Sequence, residues 1–239
     1  MIEAVLFDLD DTLHDDTLTY RRAAERVAGD VARERGIDAR VLLQAYVALA
    51  EAFWQTLSAD MFGTPLVGVR GRMWRSALEA VAIDDAELAE RSGAAYNRYR
   101  REYLQLWPGA PELLARLRVR GMKLALITNG FAETHREKLE LLRLEDAFDE
   151  VFIADEVGLL KPDPRIFALA AERLGVAAPA CAMVGDRFER DIRGAQEAGM
   201  FTVWMNVRDE AVPPGAAPPN AIVARIDEVE GVLPLARKA

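Results

Sequence analysis

Five short apolar runs, each followed by polar or glycine residues, constrain the fold of this chain more than any other feature of its sequence. They cover residues 4–7, 124–127, 151–154, 182–184 and 202–205. Each run is apolar at successive rather than alternate positions, which is typical of strands buried on both faces of a parallel sheet. Because helical patterns lie between them, the sequence predicts a doubly wound α/β domain.

A helical segment separates the first run from the other four. Residues 16–104 lack strand-like runs and are rich in Ala, Arg, Glu and Leu. Breaks at residues 36–38, 63–65 and 84–85 divide this segment into about four helices. We therefore predict an α/β core made of residues 1–15 and 105–239, with an inserted helical domain of residues 16–104. Residues 221–224 are predicted to add an edge strand.

Composition narrows the classes of partner. The chain of 239 residues has 30 basic and 39 acidic side chains, a formal net charge of −9. A duplex-binding surface needs a basic face, so a nucleic-acid polymer is not an expected partner. The single cysteine, Cys181, excludes an intramolecular disulfide and a cysteine-based metal site. The apolar runs are far shorter than the ~20 residues that span a bilayer, and the first residues lack a basic signal-peptide region. We expect a cytoplasmic protein without a membrane partner; composition does not specify its oligomeric state.

Two acids directly follow the first run. Asp8 and Asp10 lie beyond the carboxyl end of a predicted strand, where ligands bind in an open α/β sheet. Two neighbouring carboxylates cost free energy unless a cation or a reaction uses them. The alternative interpretation is a solvated acidic turn.

Further carboxylates follow the fourth run. Gly185 and Asp186 directly follow that run, and Asp191 comes five residues after Asp186. If this strand neighbours the first one, Asp186 faces Asp8 and Asp10. Converging carboxylates suit Mg²⁺, which prefers hard oxygen ligands. Alternatively, Asp186 begins a turn and Asp191 caps the following helix.

Two more strand ends carry polar groups. Thr128 and Asn129 precede a predicted helix, where a hydroxyl, an amide and main-chain N–H groups make an anion cradle. The same residues are also common in turns. Lys161 precedes Pro162, which favours an extended conformation for the lysine. Lys161 is either a solvated lysine or the counter-charge of the carboxylates.

Read in order, the segments FDLDDTL, ITNG, KP and VGDRFERDI resemble those of the haloacid dehalogenase-like hydrolase superfamily. The resemblance covers nearly the whole chain, and the inserted segment looks like the family's helical C1-type cap. The stretch DIRGAQEAGMFTVWMN resembles the branch that contains small phosphatases of nucleotides and sugar phosphates. The resemblance implies a Rossmann-like core. It also implies Mg²⁺-dependent hydrolysis of a small phosphomonoester, such as a nucleotide, a sugar phosphate or a phosphoglycolate-like metabolite.

The resemblance implies a role for each candidate residue. Asp8 would be the nucleophile that forms an aspartyl-phosphate. Asp10 would protonate the leaving alkoxide and then activate water, and Lys161 would stabilise Asp8. The implied Mg²⁺ ligands are Asp8, the main-chain carbonyl of Asp10, and Asp186, with Asp191 behind them. The phosphoryl oxygens would be held by Thr128 and Asn129.

The type of reaction depends on Asp10. Family members that displace halide lack an acid two residues after the nucleophile and need no metal, so Asp10 and Asp186 favour phosphate chemistry. A phosphotransferase or mutase acting on a sugar phosphate, and a binding module of the same fold without turnover, stay open as alternatives. Many phosphatases of this type have glycine where this chain has Asp11, which leaves the geometry of that turn open.

The helical segment and two histidines offer less specific signals. Arg70, Arg72 and Arg75 are predicted to form a solvated helix face, with recognition of a second anionic group or a stacked base as the alternative. The aromatic residues near them are predicted to pack the core of the helical domain: Trp54, Phe62 and Trp74. His14 and His135 are predicted to be surface residues, with a place flanking the entrance of the site as the alternative.

Overall fold

The sheet contains the predicted parallel strands. The computed structural model describes residues 1–63 and 66–236. Thr64 and Pro65, where one predicted helix break falls, lie outside the described residues, as do residues 237–239. Within the described residues, six strands form one parallel sheet in the order β3-β2-β1-β4-β5-β6. The strands are β1 (Ala4–Phe7), β2 (Lys123–Thr128), β3 (Glu150–Ile153), β4 (Cys181–Gly185), β5 (Phe201–Met205) and β6 (Ala221–Val223). The predicted α/β class is confirmed, and β6 forms the predicted edge strand.

Contacts divide the chain into two compact units, one of which is residues 16–104. Its described helices are α1 (Asp16–Arg35), α2 (Ala39–Gln55), α3 (Leu66–Glu79) and α4 (Ala86–Tyr103). Asp38 and Asp85 begin α2 and α4, because their carboxylates accept hydrogen bonds from main-chain N–H groups of the first turn. Trp74 is fully buried in the core of this unit, as predicted, and stacks on Tyr46 with ring centroids 4.1 Å apart. The prediction is wrong for Trp54, which is 36% exposed.

The arginines of α3 differ from one another. Arg72 and Arg75 are exposed, as predicted. The prediction is wrong for Arg70, which is buried and donates a hydrogen bond to Asn97 Oδ1 at 2.9 Å. Burial lowers the pKa of Arg70 to about 10, and nearby Arg100 acts in the same direction. Helical periodicity places all three arginines on one element but does not say which of them turns inward.

The second unit comprises residues 1–15 and the described residues from 105 onward. Its helices are α5 (Ala110–Val119), α6 (Ala132–Leu141), α7 (Ala154–Val157), α8 (Pro164–Leu174), α9 (Gly194–Glu197) and α10 (Val229–Val232). A π-helical segment, Phe188–Arg193, precedes α9. None of the helices in the described ranges combines the length and apolar character needed to cross a membrane.

The order of the strands decides which loops meet. β1 lies between β2 and β4, and all four of its residues are buried. In a parallel sheet the carboxyl ends of neighbouring strands share one edge, where ligands bind. Residues that follow β1, β2 and β4 therefore converge, although they are far apart in the sequence.

Candidate active site

Asp8 stands at the end of β1 with its side chain turned into the sheet edge. Its N–H donates to Val184 O at 2.9 Å, which extends the pairing with β4 by one residue. Lys161 Nζ donates to Asp8 Oδ1 at 2.6 Å, and Thr12 Oγ1 donates to Asp8 Oδ2 at 3.5 Å. Asp8 is only 6% exposed. The carboxylate is thus held in place by a buried cation and a hydroxyl.

Lys161 joins two carboxylates. Its Nζ lies 2.6 Å from Asp8 Oδ1 and 2.6 Å from Asp191 Oδ1, and the side chain is buried. Burial acts to lower the pKa of Lys161, but Asp191 and Asp8 outweigh burial and raise it. The lysine is therefore charged and compensates for part of the negative charge around it.

Three carboxylates converge beside Lys161. Asp8, Asp186 and Asp191 each offer an oxygen, and these oxygens lie within 4.8 Å of one another. Burial raises the pKa of Asp8 to about 7, with Lys161 opposing this and Asp191 adding to it. Burial also raises the pKa of Asp186 well above its usual range, and the charges of Asp191 and Asp8 add to the effect.

The carboxylate cluster has an unsatisfied oxygen. Among the described residues, Asp186 Oδ1 is buried and has no hydrogen-bond partner, while Asp186 Oδ2 lies 3.2 Å from Arg187 Nε. A buried acceptor without a donor costs about 1–3 kcal/mol. Hard carboxylate oxygens with one position unsatisfied fit a divalent cation such as Mg²⁺.

Gly185 makes room for Asp191. The Asp191 side chain passes directly over Gly185, so that a Cβ at position 185 would lie 2.5 Å from Asp191 Oδ2. The same oxygen accepts a hydrogen bond from the N–H of Arg187 at 2.9 Å. The glycine at the end of β4 is therefore required by the position of this carboxylate.

Replacing Gly185 with Ala is expected to displace Asp191 and to destabilise the protein by about 1–3 kcal/mol, because the added methyl group overlaps a buried side chain. Chemical denaturation measures this loss. Gly231→Ala is the matched control. Apart from its chain neighbours and the backbone of its own helix, no atom of the described residues lies within 4 Å of the added Cβ, and its φ angle is outside the left-handed region. Equal stability of the two variants would contradict the proposed close packing.

Asp10 has a separate set of partners. Asp10 Oδ1 accepts hydrogen bonds from Lys138 Nζ at 2.6 Å and from His14 Nε2 at 2.8 Å. Asp10 Oδ2 lies 3.4 Å from His135 Nε2. Burial would raise the pKa of Asp10, but Lys138 and His135 outweigh it and hold that pKa well below its usual range. Asp10 is therefore ionised in this structure.

The prediction that both histidines are surface residues is wrong. His14 is fully buried and His135 is 2% exposed. Sequence reasoning also missed Lys138, which is 3% exposed. Two weak signals existed: His14 follows Asp10 by four residues, and His135 and Lys138 are three apart and share a face of α6. Neither signal says that this face turns toward Asp10.

Asn129 contacts the main chain of Lys161. Its Nδ2 donates to Lys161 O at 2.7 Å, and its Oδ1 accepts from the Lys161 N–H at 2.8 Å. Thr128 is the last residue of β2 and is buried at the same edge. The Asn129 amide therefore positions the segment that carries Lys161, a role that the sequence did not suggest.

Asp11 occupies the position where the family resemblance implies a glycine. Its φ angle of 62° lies in the left-handed region, which aspartate tolerates better than most residues. Asp11 Oδ2 lies 3.5 Å from Arg187 Nη2 and 3.2 Å from Arg208 Nη2. The turn thus keeps a glycine-like backbone while its side chain links the loops that follow β1, β4 and β5.

Comparison with known proteins relates these features to a family. The family model for haloacid dehalogenase-like hydrolases matches residues 2–199. The phosphoserine phosphatase of Thermus thermophilus is 35% identical over 238 residues, which cover 91% of this chain and 94% of that protein. The glyceraldehyde 3-phosphate phosphatase of Methanopyrus kandleri is 34% identical over 207 residues, covering 85% and 83%. Among solved structures, the magnesium-bound HAD hydrolase YfnB of Bacillus subtilis has the same fold, with a TM-score of 0.76, 22% identity, and coverage of 98% and 99%.

Proposed function

This chain belongs to the haloacid dehalogenase-like hydrolase family, and we propose that it hydrolyses a small phosphomonoester with Mg²⁺ through an aspartyl-phosphate on Asp8. As a phosphatase of this family it is a phosphoric monoester hydrolase that acts on a small phosphorylated substrate. The observation that carries the finer proposal is the buried Asp8 carboxylate, held by Lys161 and grouped with Asp186 and Asp191.

In the first step Asp8 attacks phosphorus. A bond forms between an Asp8 carboxylate oxygen and phosphorus, and the ester bond to the leaving oxygen breaks. Asp10 transfers a proton to that oxygen, so that an alcohol leaves instead of an alkoxide. Lys161 keeps Asp8 oriented, and the Thr128 hydroxyl is proposed to hold a phosphoryl oxygen together with the main chain at Asn129.

In the second step water replaces Asp8. Asp10, now a carboxylate, removes a proton from the water that attacks phosphorus. The phosphorus–oxygen bond to Asp8 breaks, inorganic phosphate leaves, and the Asp8 carboxylate is restored. One residue thus serves as acid and then as base because the second step reverses the proton transfer of the first.

The acid role of Asp10 requires a change in its surroundings. Asp10 is ionised in this structure because of Lys138 and His135. An arriving phosphate dianion adds negative charge beside Asp10, and like charge raises the pKa of a carboxyl group. We infer that substrate binding raises the pKa of Asp10, so that Asp10 takes up the proton that it then donates to the leaving oxygen.

Asp8, the Asp10 carbonyl and Asp186 are proposed to hold Mg²⁺, with Asp191 behind them. The unsatisfied Asp186 oxygen and the clustered carboxylates fit that cation. When bound, Mg²⁺ neutralises negative charge so that an anionic carboxylate can approach an anionic phosphate.

Release of inorganic phosphate tests the function. An aryl phosphate reports turnover in general, and a panel of phosphorylated metabolites identifies the substrate: phosphoserine, glyceraldehyde 3-phosphate, nucleotides, sugar phosphates and phosphoglycolate. We expect turnover with Mg²⁺ and none after chelation with EDTA. An isomeric sugar phosphate in place of free phosphate would instead indicate a mutase.

Residues 16–104 are proposed to act as the cap that selects the substrate. The enzyme is proposed to be cytoplasmic.

Mg²⁺ binding is expected to strengthen as the pH rises toward about 7. Burial raises the pKa of Asp8 to about 7, so this group holds a proton below that pH and must lose it to bind a cation. If one proton is released, the affinity falls about tenfold for each pH unit below the pKa. Calorimetric Mg²⁺ titrations at about pH 6 and about pH 8 measure the difference.

The metal-free protein is expected to show the opposite trend in stability. The folded Asp8 pKa exceeds its ordinary value, so the native state binds more protons than the unfolded state between about pH 4 and about pH 7. This contribution to the free energy of unfolding is therefore lost as the pH rises through that window.

Asp186→Asn is the control for the Mg²⁺ titrations and should bind Mg²⁺ weakly at both pH values. Tighter binding by the unaltered protein at the lower pH would contradict the assignment.

A further inference from the structure

The surroundings of Asp10 contain a buried cation to which the steps above assign no part in orienting Asp10 for proton transfer. Lys138 is 3% exposed and lies on α6, 128 residues from Asp10 in sequence. Its Nζ donates to Asp10 Oδ1 at 2.6 Å, which is short enough for a charge-assisted hydrogen bond. Because Lys138 is buried, it does not offer a surface for substrate.

The contacts around Asp10 restrict the orientation of its carboxylate. His14 Nε2 donates to the same oxygen at 2.8 Å, and His135 Nε2 faces the other oxygen at 3.4 Å. Asp10 itself is the more exposed member of the group, with a side-chain exposure of 29%. Buried side chains thus contact both oxygens of a carboxylate that itself stays partly exposed.

The position of His135 is fixed by its contacts with the segment between β2 and α6. Its Nδ1 lies 3.0 Å from Phe131 O, which orients the imidazole ring. A Cβ at Gly130 would lie 2.8 Å from His135 Nδ1, so the glycine leaves room for the ring to pack. The segment that joins β2 to α6 therefore helps to place α6 so that His135 and Lys138 both lie beside Asp10.

We propose that Lys138 is a positioning residue for proton transfer by Asp10. It holds the Asp10 carboxylate, together with His14 and His135, in the orientation that reaches the leaving oxygen of the substrate. A misplaced catalytic group loses much of its effect even when it stays in the site. This inference rests on the role of Asp10 in the proposed function.

The test compares substrates with good and poor leaving groups. An alkyl alkoxide needs a proton as it leaves, whereas dinitrophenolate leaves without one. Lys138→Met should therefore lower kcat for glycerol phosphate by about 30-fold or more, a share of the ~10²–10⁴-fold contribution of general acid catalysis. For dinitrophenyl phosphate it should change the step that forms the aspartyl-phosphate, measured as a burst of dinitrophenolate, by less than about threefold.

Two further variants separate the possible outcomes. Arg136→Met removes an exposed cation of the same helix, which pairs with Glu156, and should leave the rates with both substrates unchanged. Asp10→Asn should show the same dependence on the leaving group as Lys138→Met, but more strongly. If Asp10→Asn shows no such dependence, the acid role in the proposed function fails. If Asp10→Asn shows it and Lys138→Met does not, the positioning role of Lys138 is wrong.

The remaining outcomes also decide the question. Equal losses on both substrates would mean that Lys138 supports the site only in a general way, which overturns the proposal. Folding is checked by circular dichroism, and Lys138→Gln serves as a second variant because its amide retains a donor. If neither variant folds, Lys138 is required for folding and the positioning proposal is withdrawn.

Discussion

Replacing Asp8 with Asn is expected to lower the rate of phosphate release by about 10⁴-fold or more, because an amide cannot replace the carboxylate as the nucleophile. The measurement is inorganic phosphate released from an aryl phosphate in the presence of Mg²⁺. Asn has nearly the same size as Asp, so the substitution removes the chemistry without creating a cavity.

The stability of the Asp8→Asn protein distinguishes lost chemistry from lost structure. Burial and the neighbouring Asp191 charge both disfavour the ionised Asp8 carboxylate. Removing that charge should therefore leave the metal-free protein at least as stable above pH 7 as the unaltered one. Glu189→Gln, which neutralises an exposed acid of the same unit, should keep full activity. Equal activity of the Asp8→Asn and unaltered proteins would refute the assignment of Asp8 as the nucleophile.

Replacing Lys161 with Met is expected to cost about 3–5 kcal/mol of the free energy of unfolding and to abolish activity. Lys161 Nζ lies 2.6 Å from oxygens of both Asp8 and Asp191 in a buried position. Without the lysine these carboxylates repel each other in surroundings that solvate them poorly, which is the usual large penalty of breaking a buried ion pair. Urea denaturation of the metal-free protein measures the loss.

Two controls test the electrostatic origin of that penalty. Adding Asp191→Asn to Lys161→Met removes one of the two stranded charges and should restore part of the stability, a coupling that a double-mutant cycle measures. Arg136→Met, which breaks an ion pair whose arginine is exposed, should cost less than about 1 kcal/mol. If Lys161→Met costs no more than Arg136→Met, the buried lysine does not stabilise the carboxylate cluster.

The residues found from the sequence share a topological property. Asp8, Asp10 and Asp186 follow β1 and β4, and these strands are neighbours in the sheet. A parallel sheet brings the carboxyl ends of its strands to one edge, so the positions of acids in the sequence predict that they meet. Lys161 lies in the loop between α7 and α8 rather than directly after a strand, so the sequence left it open as either a solvated lysine or the counter-charge of the carboxylates.

The residues that the sequence missed depend on packing. His14, His135 and Lys138 are ordinary surface residue types, and the spacing of His135 and Lys138 does not show which way their shared face of α6 turns. The same limit applies to Arg70, which is buried while Arg72 and Arg75 on the same helix are exposed. Burial of a charged side chain depends on partners that can be more than 100 residues away, such as Asp10 for Lys138.

The sequence by itself determined the α/β class and the acids at the sheet edge, because continuous apolar runs and the residues that follow them are local patterns. Only the tertiary structure decided which side chains hold Asp10, how Asn129 supports Lys161, and why Gly185 lies beneath Asp191. These contacts join segments that approach one another only when the sheet and its helices are packed. Their geometry is therefore a property of the folded chain rather than of any local sequence pattern.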